Sequence, residues 1–179
     1  GNTTQPQPGN FSFASHFSDL DGDGWLDLAV AGDFGKSRLF WNNHDGTFTD
    51  GTMAAGVGTD ENGMGTAIGD IDGDGLLDWF VTAISGGQSP NHTGNRMYLN
   101  NGDRTFRDVT DVAGVREGFW GWAASFLDFD HDMDLDLMMV NGVLFPDDAE
   151  GEGFDDDVSR FWENDGAGVF TEISAQLGI

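Results

Sequence analysis

Three short apolar runs punctuate the chain: LAVAG from Leu28, WFVTA from Trp79 and LMMVN from Leu137, each flanked by turn-forming residues. Runs of this length and setting predict buried strands rather than helices. Each is followed, after a variable linker, by an arginine-led aromatic segment: RLFWNNHDGTF from Arg38, RMYLNNGDRTF from Arg96 and RFWENDGAGVF from Arg160. The NNHDG, NNGDR and NDGAG portions, each followed closely by Phe, have the composition of hairpin turns. Only the stretches that follow, AAGV, VAGV and QLGI, predict a helical turn.

The same order three times over means an internal repeat, which decides the architecture before any argument about chemistry. Ahead of each apolar run lies an aspartate-rich loop. Residues 19–27 read DLDGDGWLD, residues 70–78 DIDGDGLLD and residues 128–136 DFDHDMDLD, spaced by 51 and 58 residues. The predicted organisation is a polar arm over residues 1–10, then repeats over 11–61, 62–119 and 120–179 in one continuous domain. Strand-turn-strand units at this period predict an all-β fold of β-propeller-type repeats. Arg38, Arg96 and Arg160, equivalently placed, predict a repeated ion pair or carbonyl contact.

The loops carry the candidate chemistry. Calcium takes six to eight hard oxygen ligands, which short loops supply by alternating carboxylates with turning residues. In the first loop Asp19, Asp21, Asp23 and Asp27 occupy positions one, three, five and nine, Gly24 allows the sharp turn, and the Trp25 carbonyl is available at position seven. Asp70, Asp72, Asp74, Gly75, the Leu76 carbonyl and Asp78 repeat the arrangement. The third loop offers Asp128, Asp130, Asp132, Asp134 and Asp136, but has Met133 in place of the turning glycine. A non-glycine residue held there at positive φ costs about 1–2 kcal/mol. An EF-hand is excluded at position twelve, where a bidentate Glu is replaced by Val30, Val81 or Met139. The expected cofactor is calcium, about three ions.

Bulk composition narrows the function classes. Seven Lys and Arg against 32 Asp and Glu give a net charge of −25, which repels nucleic acid and anionic lipid and makes cations the natural counterions. The absence of Cys removes disulfides, zinc-thiolate sites and thiol nucleophiles together. The chain contains no run of about eighteen apolar residues, so no membrane insertion is expected, and GNTTQPQPGN at the start does not read as a signal peptide.

The D-x-D-x-D-G-x-x-D loops, together with NRMYLNNGDRTFRDVTDVAGV over residues 95–115, resemble FG-GAP/VCBS-type repeats, a family that includes the integrin α-subunit head and many secreted bacterial proteins. The resemblance implies four-stranded propeller blades with calcium held between two strands of each. It implies an extracellular or cell-surface setting as well. The departures are Met133, Ser12 where the other repeats have Gly63 and Gly121, and three repeats where closed propellers have four to eight.

Catalysis finds little to stand on. His16, His44, His92 and His131 show no HExxH spacing, and there is no nucleophile elbow. The reading is a non-enzymatic calcium-binding repeat protein for extracellular adhesion or assembly. A glycan- or protein-recognition module and a secreted polysaccharide-degrading domain are the alternatives. The expected partners are further copies of the chain or another extracellular protein, with glycan as a further ligand class. Too few repeats for a ring predicts a six-blade ring dimer, a head-to-tail filament, or a piece of a longer chain. Among the aromatics, Trp41 aligns with Leu99 and Glu163 and is expected to face outward, whereas Trp122 aligns with Met64 and Phe13 and is expected in the core. PDDAEGEGFDDD over residues 146–157 reads as a solvated acidic loop.

Overall fold

The computed structural model describes residues 11–86, 90–142 and 157–179. The proposed arm and nearly all of the acidic segment before Asp157 therefore lie outside the described residues. The described residues form three four-stranded antiparallel sheets, each a meander in chain order. The first comprises β1 (Ser12–Ser18), β2 (Asp27–Gly32), β3 (Arg38–Asn42) and β4 (Phe48–Asp50). The second comprises β5 (Thr66–Gly69), β6 (Asp78–Val81), β7 (Arg96–Asn100) and β8 (Phe106–Asp108), and the third β9 (Gly121–Leu127), β10 (Asp136–Asn141), β11 (Arg160–Asn164) and β12 (Phe170–Glu172). Each sheet is followed by one helical turn: α1 (Thr52–Ala55), α2 (Thr110–Ala113) and α3 (Ser174–Leu177). The architecture is all-β and propeller-like, with β5 packed between β1 and β9.

The apolar runs are short and unbroken because the middle sheet is buried on both sides. Successive side chains of a strand point to opposite faces. Trp79, Val81, Tyr98 and Phe106 therefore pack back onto the first sheet, against Leu20, Ala29, Ala31, Leu39 and Trp41. Phe80, Met97 and Leu99 pack forward against Leu137, Met139, Trp162 and Phe170 of the third. Isolated bridges Asp33–Asn62 and Ile84–Trp120 join consecutive sheets.

This layering corrects two sequence expectations. Trp41 is 6% exposed, because the forward face of the first sheet is covered by the second; Glu163, at the same position in the third sheet, is exposed. Trp122 is 39% exposed, edge-on to Phe13 and stacked on Trp120. Its equivalent Met64 is buried, packed with Ile84 and Trp120.

The arginines fulfil the carbonyl alternative. Arg38 donates to the Gly35 and Ser37 carbonyls, Arg96 to those of Thr93, Gly94 and Asn95, and Arg160 to that of Val158. Asp157 is not solvated as expected: its side chain accepts the Trp120 backbone N–H at 2.9 Å and the Asn141 amide at 2.8 Å, and lies 3.6 Å from Arg160.

Consecutive sheets are also strapped together by asparagine. The Asn100 side-chain amide donates to the Leu77 carbonyl of its own sheet and, at 2.7 Å, to the Leu20 carbonyl in the loop of the first. Asn164 does the same to Leu135 and, at 2.8 Å, to Ile71. Asn42 donates to Leu26 within its own sheet. Asn100→Ala leaves buried carbonyls without their donor and should cost about 1–3 kcal/mol, against about 1 kcal/mol or less for Asn42→Ala, whose partner reaches water. Urea unfolding midpoints of the two variants measure the difference.

Candidate metal centre

Each aspartate-rich loop joins the first and second strands of its sheet, and its last aspartate opens the second strand. That residue is buried and uses both oxygens. Asp27 accepts the Leu20 N–H at 3.1 Å and the Asn42 N–H at 2.9 Å; Asp78 accepts those of Ile71 at 3.0 Å and Asn100 at 2.9 Å; Asp136 those of Phe129 at 3.1 Å and Asn164 at 2.9 Å. One carboxylate thus fixes the loop to the end of the third strand.

Inside the loop, backbone N–H groups close on the first aspartate. Asp19 accepts from Asp23 and Gly24, and Asp70 from Gly73, Asp74 and Gly75. The winding places ligand atoms of Asp19, Asp21 and Asp27 within 4.8 Å of one another, and likewise those of Asp70, Asp72 and Asp78 and of Asp128, Asp130 and Asp136. Three hard carboxylates converging at that separation suit a calcium-type cation, and without one they oppose each other.

The residues at position five are not in these groups. Asp23, Asp74 and Asp132 each turn back to accept the N–H two residues on, from Trp25, Leu76 and Asp134. In the third loop Met133 has φ 81°, where Gly24 and Gly75 have 89° and 88°, so the backbone strain expected there is present. His131 takes φ 68° where Gly22 and Gly73 take 74°, a second strained position that the sequence reading passed over.

The electrostatics differ from loop to loop. Burial pushes the Asp78 carboxyl up to about 7, with Asp72 and Asp74 adding to the rise and the N–H groups of Asn100 and Ile71 opposing it. Asp27 is raised too, again by burial first. Asp130 and Asp134 are raised by desolvation and by neighbouring carboxylates. Asp23 is instead lowered, by the Trp25 N–H first and also by His44 and Arg104. Sequence reasoning missed both of these basic neighbours. His44 Nε2 lies 2.6 Å from Asp23 Oδ2, and Arg104 comes from the following sheet. It also missed the asparagines, although Asn42, Asn100 and Asn164 recur at one place in the repeated block and were visible there.

The FG-GAP-like repeat family matches residues 19–81 and 83–139, and the chain belongs to that family. Among solved structures, a lectin of Agrocybe aegerita, described as recognising non-reducing terminal N-acetylglucosamine, is similar at 20% identity and a TM-score of 0.46 over 88% of this chain and 36% of its own. The chain thus spans about a third of that lectin's length. No curated protein matches. No helix among the described residues is long and apolar enough to cross a membrane.

The raised Asp78 carboxyl has a consequence for pH. Its folded form holds a proton that the unfolded form, near 3.8, has released, so in chelator its contribution to stability is fully present below about pH 4 and is lost as pH rises toward 7. Asp78→Asn should flatten that part of the fall. Urea midpoints at pH 5 and pH 7 for both proteins, in chelator, provide the comparison.

Proposed function

We propose that this chain is a non-enzymatic calcium-binding repeat protein whose loops hold about three ions as part of the fold, and that it acts in extracellular adhesion or assembly. The observation carrying the reading is the threefold convergence of carboxylates at Asp19, Asp21 and Asp27, at Asp70, Asp72 and Asp78, and at Asp128, Asp130 and Asp136. Asp23, Asp74, Asp132 and Asp134, with the Trp25 and Leu76 carbonyls, complete the proposed ligand sets. The ion supplies positive charge to carboxylates that the fold forces together. It has no substrate to activate.

The assembly part rests on the first sheet. Phe48 is 40% exposed, while its equivalents Phe106 and Phe170, each covered by a preceding sheet, are 7% and 5% exposed. Phe17 and Leu26 on the first sheet are exposed as well, whereas among the described residues 62–118 Val112 is the only exposed large apolar side chain. A face built like a buried one and exposed among the described residues supports an interaction surface there. The proposed occupant is another blade of the same kind, from a second copy or from another extracellular protein.

If each site binds at about 10⁻⁴ M, millimolar calcium contributes about 1.4 kcal/mol per site. Three sites then raise the melting temperature by about 10 °C over chelator. An unchanged melting curve in excess chelator would sink the calcium reading. Asp21→Asn and Asp72→Asn should each lower stability more in calcium than in chelator. Light scattering in millimolar calcium tests assembly: dimers or larger species support it, and a stable monomer at micromolar concentration refutes self-association.

A further inference from the structure

The three loops are not equivalent, and one of the differences comes from a neighbouring sheet. The β7–β8 hairpin lies over the first loop and sends Arg104 into it. Arg104 Nε donates to Asp21 Oδ2 at 2.6 Å, its Nη2 also contacts Asp21, and Nη2 stands 3.5 Å from Asp23 Oδ2. The guanidinium sits 5.4 Å from the centre of the Trp41 ring, and the Asp21 side chain beneath it is 4% exposed. Two carboxylates and a ring therefore hold one cation over a loop that needs a cation.

The position is unusual for arginine. Arg104 has φ 66°, and the matching hairpin residues Gly46 and Gly168 have 87° and 77°, a region that favours glycine. Over the second loop the same hairpin place belongs to Gly168, where an added Cβ would stand 3.7 Å from the Asp72 Cβ. The hairpins are thus placed alike over loops one and two, and at this place the first carries a guanidinium and the second no side chain. The strained backbone at Arg104 is offset by what its side chain reaches.

We infer that Arg104 sets the cation affinity of the first loop. Resting on the calcium reading above, the inference makes loop one the weak, exchangeable site, because an incoming ion must share or displace a guanidinium already paired with Asp21. Loop two, with glycine at that place, is the tighter site. Occupancy of loop one is thereby coupled to the contact between the first and second sheets, since the competing charge belongs to the second.

The loop supplies its own reporter. Trp25 occupies position seven, where the other loops have Leu76 and Asp134, so terbium emission sensitised by Trp25, taken as the part lost in Trp25→Phe, reads loop one. A unit charge about 5 Å from a divalent ion in water weakens its binding about tenfold, and a trivalent ion's more. In the full chain, Arg104→Gly should lower the terbium midpoint about tenfold or more, Arg104→Gln should do so comparably, and Arg104→Lys should stay within about threefold of the parent. Calorimetric calcium titration of the same variants decides independently, one site tightening in Arg104→Gly and Arg104→Gln alone. Calcium binding with unchanged or weakened constants in both neutral variants overturns the inference and leaves the calcium reading standing. Absence of calcium heat and of calcium-displaceable emission from every protein removes the calcium reading, and the inference with it.

Discussion

The interaction on which the rest depends is the buried aspartate at the end of each loop. A carboxylate out of reach of water needs hydrogen bonds on both oxygens and an opposing charge nearby. Asp27, Asp78 and Asp136 obtain the first from two backbone N–H groups, one in the loop and one at the end of the third strand. That pairing sets where the loop closes and where β3, β7 and β11 stop. The residue whose N–H is used, Asn42, Asn100 or Asn164, then spends its side chain on loop carbonyls, in the latter two cases reaching the sheet before. Loop, sheet and next sheet are fastened at adjoining atoms, so disturbing any one is felt by the others.

Burial follows from position in the array. The second sheet contributes to both large apolar clusters and reads as continuous hydrophobic sequence, while the first and third contribute to one each of these two. The polarity of the forward face changes accordingly, from Trp41 and Leu99, which are covered, to Glu163, which meets water.

The repeated local features were legible in the sequence because each is set within a few residues: the aspartate loops, the arginine-to-carbonyl contacts, the hairpins and the helical turns. Met133 is a case in point, its positive φ following from alignment with Gly24 and Gly75. What could not be read depends on residues far apart in the chain. The Asn100 and Asn164 straps span 80 and 93 residues, and Arg104 reaches Asp21 across 83. The outward reading of Trp41 failed because an alignment of repeats compares residues with their equivalents and not with the neighbouring sheet that covers them. Asp157 was taken for part of a solvated run because its partners, Trp120 and Asn141, lie in other segments.

The asparagine strap also determines where this scaffold accepts change. It ties the residue after the first aspartate of one loop to the last residue of the third strand in the next sheet, and Asp27-type residues span the same nine-residue loop. An extra residue inside that loop would move a carbonyl and two N–H groups out of register together. The segment between second and third strands is tied instead across its base, where Ser37 Oγ, Asn95 Oδ1 and Ser159 Oγ accept the Gly32, Ala83 and Asn141 N–H groups, and it runs five, fourteen and eighteen residues in the three repeats. Length can therefore accumulate on one rim of the array without strain on the other, and the chain separates a rim that must stay constant from one that is free to diversify.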